Sequence, residues 1–363
     1  MSLGFPDGLL GSGWPAIKTT FGFDTEVVGV LTTVIFIFSF FSSILYTKIV
    51  SRFSLAMVFQ GSTLIVIAGL TFFALINNLF GIILASICLG LGAGCIDVGI
   101  NDYVSFYYNE KIMAWVHGFW GIGITVGSGV MTFVLTIGLN WSYSYLIIAF
   151  FEVIVLMLLS FKKKNIKAMP QHSTKGCETH AKLTKSNYLG PIYYFCYGIE
   201  YIVGLYFSTF LLEVCSLNVG QAAFQVSIYW AFLMLGRFTS GFLSSLFSIK
   251  KIVYAHLLIS AIGAVLLFSK KEEGLYVASI FLGYGFSALY PMMMRFPYDI
   301  YDSTIASKVV SYQVGFQFLG VMILPIIYGV LFKHVSFVLF PMSILISLAI
   351  MTLIIWKLTY KRR

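Results

Sequence analysis

Acidic and amide side chains follow one long apolar stretch in the first half of the chain. The run LFGIILASICLGLGAG is followed by Asp97, Asn101 and Asp102. On a helix, Gly90 and Gly94 share a face with Asp97 and Asn101, because residues three and four apart are neighbours. A carboxylate inside an apolar span is costly unless it faces a water-filled cavity. We therefore expect Asp97 to lie on the wall of a transport pathway.

The composition is that of a membrane protein. Hydrophobic residues make up 59% of the 363 residues and charged residues 10%, so the chain cannot build a water-soluble surface. The net charge of +9 comes from basic residues that lie between hydrophobic runs, which favours membrane topology over nucleic-acid binding. We expect a lipid bilayer around the chain, no nucleic-acid partner, no cofactor and no metal site. The spacing of His172, Cys177 and His180 matches no standard metal site.

Charges, Asn, Pro and Gly divide the chain into twelve apolar runs, each about as long as a helix that crosses a bilayer. No alternating pattern of a β-barrel occurs, so we predict an all-α polytopic protein. The first run lacks about half a leaflet of helix before Asp7, which suggests a truncated first helix. The predicted spans are 1–17, 26–46, 55–76, 79–104, 113–138, 143–161, 188–212, 219–245, 251–269, 274–298, 305–332 and 336–356.

A polar, basic segment separates two groups of six spans. We interpret 162–187 as a cytoplasmic linker between an N-terminal bundle, 1–161, and a C-terminal bundle, 188–356, which is followed by a basic tail, 357–363. Loop lysines and arginines concentrate on the side of the linker. By the positive-inside rule, both termini are then cytoplasmic, in a plasma membrane or a bacterial inner membrane.

The two halves contain a repeat. An offset of 193 residues aligns ASICLGLG at 85–92 with ASIFLGYG at 278–285, and the same offset aligns Asp7 with Glu200 and Asp102 with Arg295. Two related six-helix bundles around a central site are the architecture of parallel-repeat transporters.

Several motifs carry a family resemblance. GFPDGLLGSGWPAI at 4–17, GAGCIDVGINDYV at 92–104, MAWVHGFWGIGITVGSG at 113–129, YGIEYIVGLYF at 197–207 and GRFTSG at 236–241 are similar to the major facilitator superfamily. Within it they resemble the branch of fucose permeases and sodium-glucose-transporter-like sugar porters. The resemblance implies that an acid in the first span and an acid followed by Asn in the fourth, here Asp7 and Asp97/Asn101, serve proton coupling and sugar binding.

Three features depart from that pattern. Asp97 stands where fucose permeases have Glu, and Ser128 stands where the fifth span often has Pro. The loop at 46–53 lacks the Asp and most glycines of the superfamily's inner-loop motif, which weakens any inference about gating by that loop.

Four side chains are candidates for proton coupling. A carboxylate that alternates between wet and dry surroundings changes its affinity for protons, which favours Asp97, Asp7 and Glu200. His117 could act in a relay with Asp97, because histidine titrates near neutral pH. The alternative for each is a structural hydrogen bond or ion pair.

The other candidates concern the solute and gating. Amides donate and accept hydrogen bonds, although bonds between helices would use them equally well. Flat rings pack on a sugar or a drug, although in a chain with 17% aromatic residues a single ring more often faces lipid or packs in the core. We interpret Arg237, Arg295 and Asp102 as structural or gating groups, the alternative for the arginines being ligands of an anionic solute. The candidate solute contacts are Asn101, Gln313, Gln317, Trp14, Trp120 and Tyr284.

The sequence therefore predicts a monomeric secondary transporter that works by alternating access of the two halves. We expect uptake of a sugar or similar small polar solute, coupled to H+, with Na+ as the other possible ion. The alternatives are proton-antiport efflux of drugs or metabolites and a receptor without transport. We find no nucleophile with its base and no metal cluster, so we do not expect an enzyme.

Overall fold

The computed structural model describes residues 4–76, 78–107, 110–161 and 184–360. Within this part of the chain every regular element is a helix, and eleven helical stretches are long and apolar enough to cross a membrane. The helix at Gly4–Phe21 is not among these eleven. Each of the twelve predicted spans coincides with one helix or with two consecutive helices, which confirms the all-α fold.

Contacts between Cα atoms divide the chain into two units, 1–176 and 177–363. The first unit contains six helices among its described residues. They are α1 (Gly4–Phe21), α2 (Val27–Val50), α3 (Leu55–Leu75), α4 (Leu79–Tyr107), α5 (Glu110–Thr136) and α6 (Ser142–Phe161).

The second unit has eight α-helices in its described part because two predicted spans are each broken into two. They are α7 (Leu189–Tyr197), α8 (Ile199–Glu213), α9 (Val219–Leu246), α10 (Ile249–Leu266), α11 (Glu272–Ser287), α12 (Leu289–Ile300), α13 (Ser303–His334) and α14 (Phe340–Tyr360). The pairs α7–α8 and α11–α12 each form one stretch of membrane-spanning length, Lys185–Glu213 and Glu272–Ile300.

Most of the predicted linker lies outside the described residues, and so do His172, Cys177 and His180. Its end is described, because a short 3-10 helix at Lys185–Tyr188 precedes α7. The last three residues of the predicted tail also lie outside the described residues, whereas α14 continues to Tyr360. The domain boundaries therefore stay a prediction.

The same kinds of helix pairs recur in both units. In the first unit α1 packs on α5, and α4 packs on α2 and α3. In the second unit α7 packs on α13, and α11 packs on α9 and α10. This recurrence is what a repeat of six spans predicts.

Glycines set the distance between α1 and α5. A Cβ on Gly8 would collide with the carbonyl oxygen of Ile124, and a Cβ on Gly127 would collide with that of Phe5. The two backbones are therefore in direct contact, as is common where small residues line membrane helix pairs. This contact holds the first two turns of α1, including Asp7, against the middle of α5.

We predict that Gly8→Ala destabilises the protein by about 1–3 kcal/mol, because the added methyl group meets backbone that cannot move aside. The matched control is Gly129→Ala in α5, where a Cβ would have no neighbour within 4 Å. Replacing a helical glycine by alanine there should be neutral or stabilising, by up to about 1 kcal/mol. Unfolding of both variants in detergent measures the difference, and equal stabilities would contradict the prediction.

Candidate functional site

Asp7 of α1 lies against α5. The indole Nε1 of Trp120 donates a hydrogen bond of 3.0 Å to Asp7 Oδ2. The charge of Asp97 acts on Asp7, so the carboxylates of the first and fourth predicted spans lie within electrostatic reach of each other. Both Asp7 and Trp120 are half-buried. The group combines two acids, whose negative charges repel each other, with an indole N–H that donates a hydrogen bond to one of them.

On α4 the face predicted from the sequence has two parts. Gly90 and Gly94 pack on the backbone of α2, where a Cβ would meet the carbonyl oxygens of Ile35 and Ser39. One and two turns further along, Asp97 is exposed and Asn101 is half-buried, and Asn101 Nδ2 donates a bond of 3.2 Å to Asp97 Oδ1. The small residues therefore serve helix packing, and the polar residues lie beyond that contact.

Glu200 and Arg237 form the charged centre of the second unit. Arg237 Nη2 lies 3.3 Å from Glu200 Oε1. Glu200 is buried at 7% exposure, and the carbonyl oxygen of the same residue accepts a bond of 3.0 Å from the Tyr229 hydroxyl. The other carboxylate oxygen, Oε2, is buried and has no hydrogen-bond partner among the described residues. The carboxylate thus depends mainly on one cation.

The remaining candidates for solute contact differ in exposure. Trp14 is fully buried, and Gln313 is buried against Gly190 of α7, so neither is open to a solute in this conformation. Gln317 and Tyr284 are half-buried. The Tyr284 hydroxyl accepts a bond of 3.2 Å from Thr239 of α9.

Three further candidates give less information. Arg295 lies in α12 and is exposed. The side chains of His117 and Asp102 lie outside the described residues, although the backbone of both belongs to described helices.

Two buried ionisable side chains escaped the sequence analysis. Glu152 of α6 has no exposed surface, and it is visible in the sequence as the single acid of an apolar span. His256 of α10 is 2% exposed, its ring stacks on that of Tyr284, and its Nδ1 lies 3.0 Å from the Tyr284 carbonyl oxygen. Neither residue belongs to a motif, and spacing alone did not single them out.

The model of the Major Facilitator Superfamily matches the chain at residues 1–210 and 189–363. The chain belongs to the major facilitator superfamily. This membership confirms the superfamily resemblance and the expectation that the chain is not an enzyme. It counts against the alternative of a receptor without transport.

Two curated relatives are similar to parts of the chain. A "Nitrite extrusion protein" of Bacillus subtilis (strain 168) is 26% identical over 236 residues, which cover 62% of this chain and 58% of the relative. A "Probable nitrate transporter NarT" of Staphylococcus epidermidis is 24% identical over 193 residues, 51% of this chain and 49% of the relative. The chain thus spans about half to three fifths of the length of these relatives. Their names do not support the predicted sugar or the fucose-permease branch.

Solved structures of major facilitator proteins share the fold. The nucleoside transporter NupG, as a mutant, has a TM-score of 0.76 at 15% identity, covering 99% of this chain and 98% of the other. A D-xylose-proton symporter has a TM-score of 0.73 at 13% identity, covering 96% and 94%. At these identities the likeness concerns the fold alone.

We predict that Arg237→Met lowers stability by about 1–3 kcal/mol, because it leaves the buried Glu200 carboxylate without its cation. Adding Glu200→Gln removes the uncompensated charge and should restore at least half of the loss. Thermal unfolding of the wild type, both single variants and the double variant in detergent gives the comparison. A double variant that is no more stable than Arg237→Met would show that the pair is not a coupled unit.

Proposed function

We propose that this major facilitator protein is a secondary active transporter that couples movement of H+ to that of a small polar solute. The observation that carries the proposal is the group of Asp7, Asp97 and Trp120 in the first unit. Protonation of either acid removes the repulsion between the two carboxylates. Binding of a proton therefore weakens the electrostatic repulsion between α1 and α4, the helices that carry the acids.

Nitrite or nitrate is the first candidate for the solute. The names of the two curated relatives support it, and so does the guanidinium of Arg237, because a planar guanidinium suits the flat oxyanion geometry. An oxyanion that reached Arg237 would compete with Glu200, and protonation of Glu200 would remove that competition. Proton binding and anion binding would then favour each other.

A polyhydroxylated solute such as a hexose is the second candidate. The pair of Asp97 and Asn101 supports it, since a carboxylate and an amide together accept and donate hydrogen bonds to neighbouring hydroxyls. This pair carries a negative charge near a second acid, Asp7, and a neutral solute fits such a place better than an anion does. Uptake and proton-antiport efflux are both compatible with either solute.

The proposal also covers the membrane, the topology and the oligomeric state of the protein. We propose a bacterial inner membrane, with the linker and both termini on the cytoplasmic side, and a monomer as the working unit. The alternating exposure of a solute site by the two halves belongs to the same proposal.

A flux assay in proteoliposomes distinguishes the candidate solutes. A pH-sensitive dye inside the vesicles reports proton movement when nitrate, nitrite or L-fucose is added outside. Nitrate is the cleanest anion for this purpose, because its conjugate acid is strong and carries no proton through lipid by itself. Proton movement with nitrate supports the first candidate, and movement with L-fucose alone supports the second. No proton movement with any of the three would contradict proton coupling.

We predict that Asp7→Asn and Asp97→Asn each reduce accumulation of the transported probe under a pH gradient by about tenfold or more. Counterflow of the same probe should persist, because exchange requires no net proton transfer. Asp24→Asn, which changes an exposed acid after α1, is the control and should behave like the wild type. Undiminished accumulation in Asp7→Asn would remove Asp7 from the coupling role.

A further inference from the structure

Two helices of the second unit are broken, and the end of the first one contacts the break in the other. The first break lies at Gly198, between α7 and α8, and the second lies at Ala288, between α11 and α12. A break interrupts the ladder of backbone hydrogen bonds and leaves carbonyl groups that need other donors. In a span that crosses lipid these donors must come from the protein.

Three tyrosines of α7 donate hydrogen bonds to carbonyl oxygens on both sides of the second break, and the acceptor that belongs to the helix end before the break is Phe286. The hydroxyl of Tyr194 donates a bond of 2.6 Å to the carbonyl oxygen of Tyr290, and that of Tyr193 donates one of 3.3 Å to Leu289. Tyr197 donates a bond of 3.4 Å to Phe286. We call Tyr193, Tyr194 and Tyr197 the tyrosine clasp. All three side chains are buried, so water does not compete for these bonds.

The second break is also held from its other side. His256 of α10 lies 3.0 Å from the carbonyl oxygen of Tyr284, and the hydroxyl of Ser287 donates a bond of 2.6 Å to the same oxygen. The tyrosine clasp therefore ties α7 to a segment that is fixed to α10 and is not itself loose.

Glu200 follows the first break by two residues. Gly198 packs on α13, where a Cβ would come within 3.1 Å of Gly320 and 3.0 Å of Leu324. Glu200 lies in the first turn of α8, and its alignment with Arg237 depends on where that turn begins. Arg237 Nη2 lies 3.3 Å from Glu200 Oε1, near the upper limit for a hydrogen bond, so a small shift of Glu200 would weaken this contact.

We propose that the tyrosine clasp positions Glu200 for its pairing with Arg237, so that Tyr193, Tyr194 and Tyr197 are positioning residues for coupling in the second unit. The clasp fixes the end of α7, the end of α7 fixes the start of α8, and the start of α8 presents the carboxylate. This inference rests on the proposed function, because it assigns Glu200 to the coupling machinery.

The test compares two tyrosines of the same unit. Tyr194→Phe removes one buried bond from a hydroxyl to a carbonyl oxygen and keeps the ring. Tyr206→Phe in α8 removes a bond of the same kind, from its hydroxyl to Pro325 at 2.8 Å, outside the clasp. In proteoliposomes, the ratio of nitrate accumulation under a pH gradient to nitrate counterflow does not depend on how much protein is correctly folded. It therefore separates positioning from a loss of stability.

We expect Tyr194→Phe to lower this ratio about threefold or more and Tyr206→Phe to leave it unchanged. In a Glu200→Gln background, Tyr194→Phe should have no further effect. Equal ratios for Tyr194→Phe and Tyr206→Phe would overturn the inference. So would a Glu200→Gln variant with the wild-type ratio, whereas the proposed function would stand as long as Asp7→Asn abolishes accumulation.

A measurement without solute keeps the inference testable if nitrate is not carried. Thermal unfolding of the wild type, Tyr194→Phe, Glu200→Gln and their double variant forms a mutant cycle. Positioning predicts that Tyr194→Phe shifts the unfolding temperature less once Glu200→Gln is present, although the two side chains act through the backbone. Additive shifts would show that the clasp does not act through Glu200.

Discussion

The direct backbone contact between α1 and α5 determines where the Asp7 carboxylate lies in the first unit. Because Gly8 and Gly127 leave no space between the two helices, the side chain of Asp7 is held at the level of the Trp120 indole. A bulkier interface would move Asp7 away from both its donor and Asp97. The position of the carboxylate is therefore a result of helix packing, to which the small residues of GFPDGLLGSG contribute by letting the two backbones approach each other.

In the second unit, tyrosine hydroxyl groups help to fix the first span in its position. Its first span packs on α13, as α1 packs on α5, and Gly320 approaches Phe195 in a similar close contact. That span is interrupted at Gly198, however, between α7 and the turn of α8 that carries Glu200. The bonds from α7 to carbonyl groups around the α11–α12 break fix the end of α7 before this interruption. The two repeats thus share helix pairs but differ in the contacts around the helix that carries the acid.

The spans could be predicted because lipid imposes them. A helix in a bilayer needs about 20 apolar residues, so the boundaries near Leu55, Leu79 and Ser142 follow from hydropathy and punctuation alone. The break at Gly198 could not be predicted, because no proline follows it closely and glycine also occurs inside unbroken helices here. The break at Ala288 differs, because Pro291 lacks the N–H that would bond to the carbonyl oxygen of Ser287 and its ring clashes with that carbonyl group. The tyrosine and histidine contacts around this break come from other helices, and the local sequence does not show them. His256 escaped for a similar reason, since its surroundings are tertiary, whereas Glu152 is recognisable from the sequence as the single acid of an apolar span.

Under the proposed function, the charge of the solute would decide which unit matters most. An anion that approached the first unit would meet two carboxylates, and binding of a proton would lessen the repulsion. An anion that approached the second unit would meet a guanidinium that already binds Glu200, and it would have to replace that carboxylate. A neutral solute with hydroxyl groups would change neither the repulsion in the first unit nor the ion pair in the second. It would hydrogen-bond to the amide of Asn101 and the carboxylate of Asp97 instead. If the solute is an anion, the Glu200–Arg237 pair should therefore control its binding, while Asp7 and Asp97 control the proton. If it is neutral, both tasks fall to the first unit, and the pair in the second is left with a structural role.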